Sequence, residues 1–257
     1  MEERGKPVVT RTVDRLKVRV FQNRQAMGQA AGTDAAAKIR ELLAAKRAVR
    51  MIFAAAPSQN ETLATLAAAP GIDWSRVTAF HMDEYIGLPE NAPQRFGRYL
   101  REHIFDLAKP GKVHLIDSSN RAEEECRRYA ALLRDAPIDL VCLGIGENGH
   151  IAFNDPPVAD FDDPELIKVV ELDEACRRQQ VNDGCFPTFE AVPTNALTLT
   201  IPALMSGAHL FCSVPGRTKR AAVQRTLSGS ISTECPSTIL REHADCTLYA
   251  DADSYGA

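Results

Sequence analysis

The segment IDLVCLG, residues 138–144, decides the fold class, because it is apolar at nearly every position. Such a strand is expected where helices cover both faces of a sheet. Other short apolar runs alternate along the chain with amphipathic helical patterns. This alternation predicts an α/β fold with a doubly wound, mostly parallel sheet and helices on both faces. The predicted strands are residues 17–21, 49–55, 77–82, 113–116, 138–143, 168–172, 209–213 and 246–250, and the predicted helices are residues 24–43, 60–69, 95–104, 122–134 and 217–227.

The length of the chain, 257 residues, is sufficient for one large α/β domain. Neither an internal repeat nor a Gly/Ser linker divides the sequence. The Asp- and Pro-rich stretch 154–164 is typical of a surface loop rather than of a domain boundary. We therefore predict a single domain over residues 1–257.

Composition and charge argue against several classes of function. The net charge is -4 at pH 7 and the Lys and Arg residues are scattered, so the sequence lacks the basic pattern of a nucleic-acid-binding protein. Uninterrupted apolar runs of about 18 residues, typical of membrane-spanning helices, are absent from the sequence. The opening segment MEERGKPVVTRTVDRLKV lacks the apolar centre of a secretory signal. The seven cysteines include no CxxC pair and favour reduced thiols over a metal site or disulfide framework, so we predict a cytoplasmic protein.

Ligands of open α/β sheets bind beyond the carboxyl ends of strands, so polar residues at those ends are candidates for function. In TAFHMDEYIGLP, residues 78–89, an apolar strand runs directly into Asp83 and Glu84. Two acids after a strand are often a helix cap or a solvated turn. The functional alternative is a carboxylate base that takes a proton from a carbon beside a carbonyl group.

The segment VCLGIGENGHIAFNDPP, residues 141–157, continues the fold-deciding strand into a polar turn. Gly144 and Gly146 allow a close approach of the backbone to a ligand, but the spacing is not that of a dinucleotide-binding fingerprint. A single histidine such as His150 is more often structural than catalytic. Asn148 and Asp155 on either side of it favour catalysis, because an imidazole that carries protons needs partners that fix its tautomer.

The segment FCSVPGRTKRAAVQRTL, residues 211–227, predicts a strand followed by a helix with Lys219 in its first turn. A positive charge there opposes the helix dipole, so structural considerations alone would favour an acid. A lysine beside backbone amides is suited to bind an anion or a phosphate. An exposed lysine without a role is the alternative.

A fourth strand end, IFAAAPSQN at residues 52–60, leads into a helix through Ser58, Gln59 and Asn60. The hydroxyl and amide groups of these residues could hold a phosphate together with the amides of the helix start. A simple helix cap is the alternative interpretation.

Two of these segments, FHMDEYIGLP and LGIGENGHIAFNDPP, resemble motifs of the glucosamine-6-phosphate deaminase family. Weaker similarity extends over residues 49–251. The resemblance implies the fold that this family shares with ribose-phosphate isomerases and coenzyme A transferases. It also implies a reaction in which glucosamine 6-phosphate and water give fructose 6-phosphate and ammonia, with neither a metal nor an organic cofactor.

The resemblance implies roles for individual residues. Asp83 matches the base that moves a proton between C2 and C1 of the sugar. His150 matches the histidine that assists opening of the pyranose ring, and Asn148 and Asp155 occupy the positions of its partners. The residues implied to bind the substrate phosphate are Ser58, Gln59, Asn60 and Lys219.

The sequence departs from the family pattern at several of these positions. The phosphate loop AAAPSQN differs from a Gly- and Thr-rich one, and Asn148 stands where the family often has Asp. Asp155 is shorter than the usual Glu. The phosphate-binding arginine of the family falls near LDEACRRQQVNDGCF, where Arg177 or Arg178 could take its place. We therefore expect retained proton transfer and altered phosphate recognition.

The sequence leaves two rival functions open. A 6-phosphogluconolactonase shares the fold and a related Gly-x-x-Gly-His segment, but MDEY and HIAFNDP favour the deaminase. A non-catalytic sugar-phosphate regulator usually carries a DNA-binding or partner domain, and the sequence shows no helix-turn-helix pattern with basic flanks. We expect a small-molecule sugar phosphate as the partner, with neither nucleic acid nor membrane. A homo-oligomer is one assembly that the sequence allows.

Overall fold

The computed structural model of the protein describes residues 5–256. This part of the chain alternates strands with helices, as predicted. The strands are β1 (Val9–Val13), β2 (Leu16–Phe21), β3 (Val49–Phe53), β4 (Val77–His81), β5 (Asp83–Tyr85), β6 (Lys112–His114), β7 (Leu140–Leu143), β8 (Ile167–Glu171), β9 (Asn195–Leu199), β10 (His209–Val214) and β11 (Cys246–Asp251).

The helices include both long α-helices and short turns. The α-helices are α1 (Arg24–Ala45), α2 (Asn60–Ala67), α3 (Phe96–Leu100), α4 (Asp106–Ala108), α5 (Ala122–Arg134), α6 (Glu174–Asn182), α7 (Ile201–Met205), α8 (Arg220–Ser228) and α9 (Ala252–Tyr255). The 3₁₀ turns are Pro57–Gln59, Trp74–Arg76, Phe189–Ala191, Arg217–Lys219 and Pro236–Glu242, and a π-helical turn, Arg101–Phe105, joins α3 to α4.

The main sheet has eight strands in the order β1-β2-β11-β10-β7-β3-β4-β6. Neighbouring strands are parallel except for the antiparallel pair at the β1 edge. The central strands β3 and β7 are buried at every position, which agrees with their continuous apolar sequence. The predicted doubly wound, mostly parallel sheet is therefore confirmed.

Two apolar layers cover the two faces of this sheet. In β3, Met51 and Phe53 pack into one layer with Met27 of α1. Ile52, which points the other way because side chains alternate along a strand, packs into the second layer with Tyr129 of α5. Burial of both faces is the main source of stability for such an arrangement.

A second, three-stranded antiparallel sheet, β5-β9-β8, was not predicted. Strand β5 begins two residues after β4 ends, so the chain passes at Met82 from the main sheet into the second one. Two of the three residues of β5 are acidic. A strand of three residues is also too short for an alternation of apolar and polar positions to be recognised. The passage places Asp83 at the junction of the two sheets.

Further differences from the prediction concern short or polar elements. β1, α6, α7 and α9 were not predicted, and the predicted helix 95–104 divides into α3 and the π-helical turn. The predicted domain spans residues 1–257, of which 1–4 and 257 lie outside the described residues. Within the described part of the chain, no helix combines the length and apolarity that crossing a bilayer requires.

The carboxyl ends of four parallel strands meet at one edge of the main sheet. These strands are neighbours in the order β10-β7-β3-β4, and each of the four polar segments singled out in the sequence follows one of them. The topology therefore brings together side chains that lie far apart in the sequence, at the edge where open α/β sheets bind ligands.

Candidate active site

A cleft opens at this carboxyl edge. Its empty space, including the open mouth, is about 490 Å³, within the range of small-molecule sites. Apolar walls come from Phe96 and Phe153. Polar groups reach the cleft from all four strand ends and from α6. The polar lining residues are Ser58, Gln59, Asp83, His150, Gln179, Gln180 and Lys219.

Asp83 places a buried carboxyl group in the cleft. It is the first residue of β5 and is 7% exposed. Burial raises the pKa of this carboxyl well above its usual value, and the negative charge of Glu84 acts in the same direction. A poorly solvated carboxylate is a stronger base than one in water, which suits a residue that removes a proton from carbon.

The neighbouring acid, Glu84, has a structural role. Its carboxylate accepts hydrogen bonds from the backbone N–H groups of Tyr85 at 3.0 Å, Phe96 at 3.1 Å and Gly97 at 3.0 Å. The last two begin α3, so Glu84 satisfies donors that a helix start leaves free. The helix-cap interpretation of these acids therefore applies to Glu84, while Asp83 faces the cleft.

His150 is held by the two partners that the sequence indicated. Its Nδ1 lies 2.8 Å from Asn148 Oδ1 and 2.9 Å from Asp155 Oδ1. Both oxygens are acceptors, because the Nδ2 amide of Asn148 donates to Asp155 Oδ1 at 2.8 Å. We therefore assign the proton of the neutral imidazole to Nδ1, which leaves Nε2 as an acceptor. Asn148 and Asp155 support His150 from outside the lining of the cleft.

Gly146 forms a flat surface beneath the imidazole of His150. A Cβ atom on Gly146 would lie 2.1 Å from Cε1 of the ring, a distance far too short for two carbon atoms. The Gly146 N–H also donates to the carbonyl oxygen of His150 at 2.9 Å. Gly149, between them, has a φ of +93°, which glycine adopts without strain. The glycines thus fix the position of the ring.

Lys219 contributes a buried ammonium group. The residue closes the 3₁₀ turn after β10, lines the cleft and is 5% exposed. Burial lowers its pKa, while the charges of Asp183 and Glu147 oppose this effect. Lys219 is not among the lysines that form ion pairs within residues 5–256, which are Lys17, Lys38, Lys46 and Lys168. A buried cation without a carboxylate partner indicates a binding site for an anion.

The loop after β3 contributes two of its three predicted ligand-binding residues to the cleft. Ser58 and Gln59 line it. The Gln59 Nε2 amide donates to the carbonyl oxygen of Ser213 and to Ser58 Oγ, both at 3.2 Å. Gln59 Oε1 is buried and has no hydrogen-bond partner among residues 5–256. Asn60 is not among the described residues that line the cleft, and its side-chain oxygen accepts a hydrogen bond from the Tyr99 hydroxyl. As the first residue of α2, Asn60 is rotated away from the cleft by the helical turn.

Helix α6 supplies two cleft residues that the sequence did not reveal. Gln179 and Gln180 line the cleft and are buried. Gln179 Oε1 accepts a hydrogen bond from the backbone N–H of Glu147 at 2.8 Å, which fixes the turn before His150. The buried positions Cys176, Gln179 and Gln180 follow the i, i+3, i+4 spacing of a helix face. That spacing was a usable signal, although only Cys176 of the three is a typical core residue.

The two arginines of α6 make local contacts. Arg177 donates from Nη2 to the carbonyl oxygens of Phe189 at 3.0 Å and Val192 at 2.9 Å. Arg178 pairs with Glu174 on the exposed side of the helix. Neither arginine is among the described residues that line the cleft.

His150, Asp155 and Cys176 form a buried cluster whose donor atoms lie within 4.8 Å of one another. A metal ion there would require the Cys176 thiolate and a free lone pair on a ring nitrogen. Burial, with the nearby charge of Asp155, raises the pKa of the Cys176 thiol well above its usual value. Nδ1 of His150 already contacts two oxygens. We therefore interpret the cluster as a hydrogen-bonded group rather than a metal centre.

The sequence matches a known family over most of its length. A family model described as "Glucosamine-6-phosphate isomerases/6-phosphogluconolactonase" matches residues 22–249. A glucosamine-6-phosphate deaminase of Bacillus cereus is 38% identical over 184 residues, which cover 71% of this chain and 68% of the relative. A glucosamine-6-phosphate deaminase of Bacillus anthracis is 37% identical with the same coverage.

Solved structures show the same fold. A monomeric glucosamine-6-phosphate deaminase superposes with a TM-score of 0.84 and 29% sequence identity, covering 93% of this chain and 98% of that one. A 6-phosphogluconolactonase of Thermotoga maritima gives a TM-score of 0.75 with 20% identity, covering 92% and 99%. The second likeness concerns the fold alone.

Proposed function

Because this chain belongs to the glucosamine-6-phosphate isomerase/6-phosphogluconolactonase family, we propose that it is a glucosamine-6-phosphate deaminase. In the proposed reaction, glucosamine 6-phosphate and water give fructose 6-phosphate and ammonia. The observation that carries the proposal is the shared cleft of Asp83, His150 and Lys219. These residues combine a base, a proton carrier and a cation for the charged end of the sugar.

The proposed reaction begins with opening of the pyranose ring. Nε2 of His150 accepts the proton of the anomeric hydroxyl and returns it to the ring oxygen as the bond between C1 and that oxygen breaks. The imidazolium formed in between is stabilised by Asp155 and Asn148, whose oxygens lie 2.9 Å and 2.8 Å from Nδ1. The residue types and their contacts suit proton transfer near neutral pH.

The next proposed step is isomerisation of the open-chain sugar. The Asp83 carboxylate removes the proton from C2 and delivers it to C1. The C1 oxygen gains a proton and the C2 nitrogen loses one, so the aldehyde and amine become a C2 imine with a hydroxyl at C1. Water adds to this imine, and ammonia leaves as the ketone forms. The raised pKa that burial gives Asp83 increases its strength as a base.

Binding of the phosphate falls in this proposal to Lys219, with Ser58 and Gln180 as uncharged donors in the same cleft. Gln59 supports Ser58, whose hydroxyl oxygen accepts a hydrogen bond from the Nε2 amide of Gln59. Anchoring of a group remote from C1 and C2 orients the reacting carbons and lowers the barrier through proximity. One ammonium and several neutral groups make this a weakly charged phosphate site, in keeping with the altered phosphate loop of the sequence.

The function is tested by incubating the protein separately with glucosamine 6-phosphate and with 6-phosphogluconolactone. We expect ammonia and fructose 6-phosphate in equal amounts from the amino sugar. Acid release from the lactone without ammonia from the amino sugar would identify a lactonase instead. Binding of glucosamine 6-phosphate without turnover would identify a regulator.

Replacing Lys219 with Ala should raise the KM for the phosphorylated sugar by about 10- to 100-fold, because one charge-assisted hydrogen bond in a buried site is lost. The KM for unphosphorylated glucosamine should change little. Steady-state kinetics with both sugars measure the difference. Arg217→Ala is the matched control, because Arg217 is an exposed cation of the same turn. An unchanged preference for the phosphorylated sugar in Lys219→Ala would remove Lys219 from the phosphate site.

We also propose that the protein acts as a single domain in cytoplasmic amino sugar metabolism. The second sheet supplies Asp83 and the main sheet leads into His150 and Lys219, so a site of this kind needs both sheets. All seven cysteines, which lie within the described residues, are free thiols. Free thiols are typical of a reducing compartment.

A further inference from the structure

Cys176 lies behind the catalytic histidine. It is on α6, is 1% exposed, and its Sγ lies within 4.8 Å of both a ring nitrogen of His150 and a carboxylate oxygen of Asp155. This residue has no part in the proposed reaction steps. Its thiol is close to Asp155, which in turn contacts His150.

The two oxygens of Asp155 have different surroundings. Oδ1 lies 2.9 Å from His150 Nδ1 and accepts a hydrogen bond from Asn148 Nδ2 at 2.8 Å. Oδ2 is buried and has no hydrogen-bond partner that meets ordinary geometric limits within residues 5–256. A buried carboxylate oxygen without a partner is costly, so a nearby weak donor gains importance. The Cys176 thiol is such a donor.

The charges around Cys176 keep its proton in place. Burial raises the pKa of the thiol well above its usual value, and the negative charges of Asp155, Asp83 and Asp173 act in the same direction. Burial also acts to raise the pKa of Asp155, but contacts with His150, Asn148 and Cys176 outweigh it, so the pKa of this carboxyl lies below its usual value. A thiol that stays protonated next to a carboxylate that stays ionised can donate to it.

We propose that Cys176 is a positioning residue, whose S–H group donates to Oδ2 of Asp155 and thereby holds Oδ1 against Nδ1 of His150. The inference rests on the proposed role of His150 in proton transfer. The arrangement is a chain of three side chains in which Cys176 acts on the substrate only through Asp155 and His150. A sulfur donor is weaker than a nitrogen or oxygen donor, so it supports the carboxylate without removing its charge from the imidazole.

Other charged or titratable groups also face this thiol. Asp83 and Tyr85 lie on β5, Asp173 caps the start of α6, and Lys219 approaches from the turn after β10. Asp83 and Asp173 add negative charge near Asp155 when they are ionised, while the ammonium group of Lys219 acts in the opposite direction. Loss of the donor hydrogen would leave more negative charge on Asp155 to attract a proton to His150.

The test compares Cys176→Ala with Cys176→Ser in the full-length protein without substrate. NMR follows the titration of the His150 imidazole. In Cys176→Ala we expect the midpoint to move to higher pH by about 0.5 to 1 unit, the size of one weak buried hydrogen bond. In Cys176→Ser the hydroxyl replaces the thiol as donor, so the midpoint should remain near that of the wild type. The acid limb of the pH profile of kcat/KM for ammonia release should move in the same way.

Cys142 provides the matched control, because it is also 1% exposed but lies in β7, where burial alone raises the pKa of its thiol. Cys142→Ala should cost stability as any small core truncation does, with the His150 titration unchanged. An unchanged titration in Cys176→Ala, or equal shifts in Cys176→Ala and Cys176→Ser, would overturn the proposal and leave Cys176 a packing residue. A shifted titration in a protein that releases no ammonia would uphold the contact and reject the proposed function.

Discussion

Replacing Asp83 with Asn should reduce kcat for ammonia release by about 10³-fold or more, because the reaction loses the base that moves the proton between C2 and C1. The amide of Asn has nearly the same shape as the carboxyl group and cannot accept a proton from carbon. Binding of glucosamine 6-phosphate should remain, since the phosphate and hydroxyl contacts come from other residues. Initial rates and calorimetric binding of the sugar measure the two effects separately.

The same substitution should leave the melting temperature unchanged or raise it near neutral pH. Burial raises the pKa of Asp83 above its value in the unfolded chain, so ionisation of this group opposes folding at pH 7. The penalty shrinks as the pH falls through the raised pKa and vanishes below the unfolded value, where both states are protonated. The advantage of Asp83→Asn should therefore be largest at neutral pH and absent at strongly acidic pH, which thermal melts across that range test.

Glu84→Gln is the matched control for the adjacent acid. Glu84 accepts three backbone hydrogen bonds and is not among the described residues that line the cleft, so kcat should fall far less in Glu84→Gln than in Asp83→Asn. Burial raises the pKa of both acids, and hydrogen bonds from the backbone oppose this effect at Glu84. Near-normal turnover in Asp83→Asn would contradict the assignment of the base.

The positions of Asp83 and His150 could be predicted because both follow apolar strands of a parallel sheet. Parallel strands carry their carboxyl ends to one edge, so residues after separate strands converge there. The strand pattern alone could not decide between Asp83 and Glu84, and the choice of Asp83 came from the resemblance to the family. In β5 adjacent side chains point to opposite faces, and this short strand of the second sheet is not visible as a pattern.

Other parts of the site were not predicted because the buried residues that form them are mostly polar. The buried face of α6 consists of Cys176, Gln179 and Gln180, whereas a helix is normally recognised by an apolar stripe. Asn60 was assigned to the phosphate loop by its place in the sequence, but the start of α2 turns it toward Tyr99. Resemblance to a family indicates which segments form a site. The local helical geometry decides which side chains reach it.

Gly146→Ala should lower kcat/KM for the closed-ring sugar by about 10²- to 10⁴-fold, the usual contribution of one acid-base group. The added Cβ would lie 2.1 Å from Cε1 of His150, so the imidazole must move away from Asn148 and Asp155. His150→Gln should show the same loss, because either change removes a correctly placed Nε2. Both variants should retain more activity toward an acyclic analogue of the sugar, which needs no ring opening.

Gly207→Ala separates this effect from general crowding. Its added Cβ would lie 2.5 Å from a methyl group of Val141, in the core away from the cleft, and such overpacking typically costs about 1–3 kcal/mol. Gly207→Ala should therefore lower the melting temperature with little change in kcat/KM per folded molecule. Equal losses toward the closed-ring and acyclic sugars in Gly146→Ala and His150→Gln would show that the imidazole acts after ring opening. In that case Gly146 would position His150 for the isomerisation step, in which His150 would act together with Asp83.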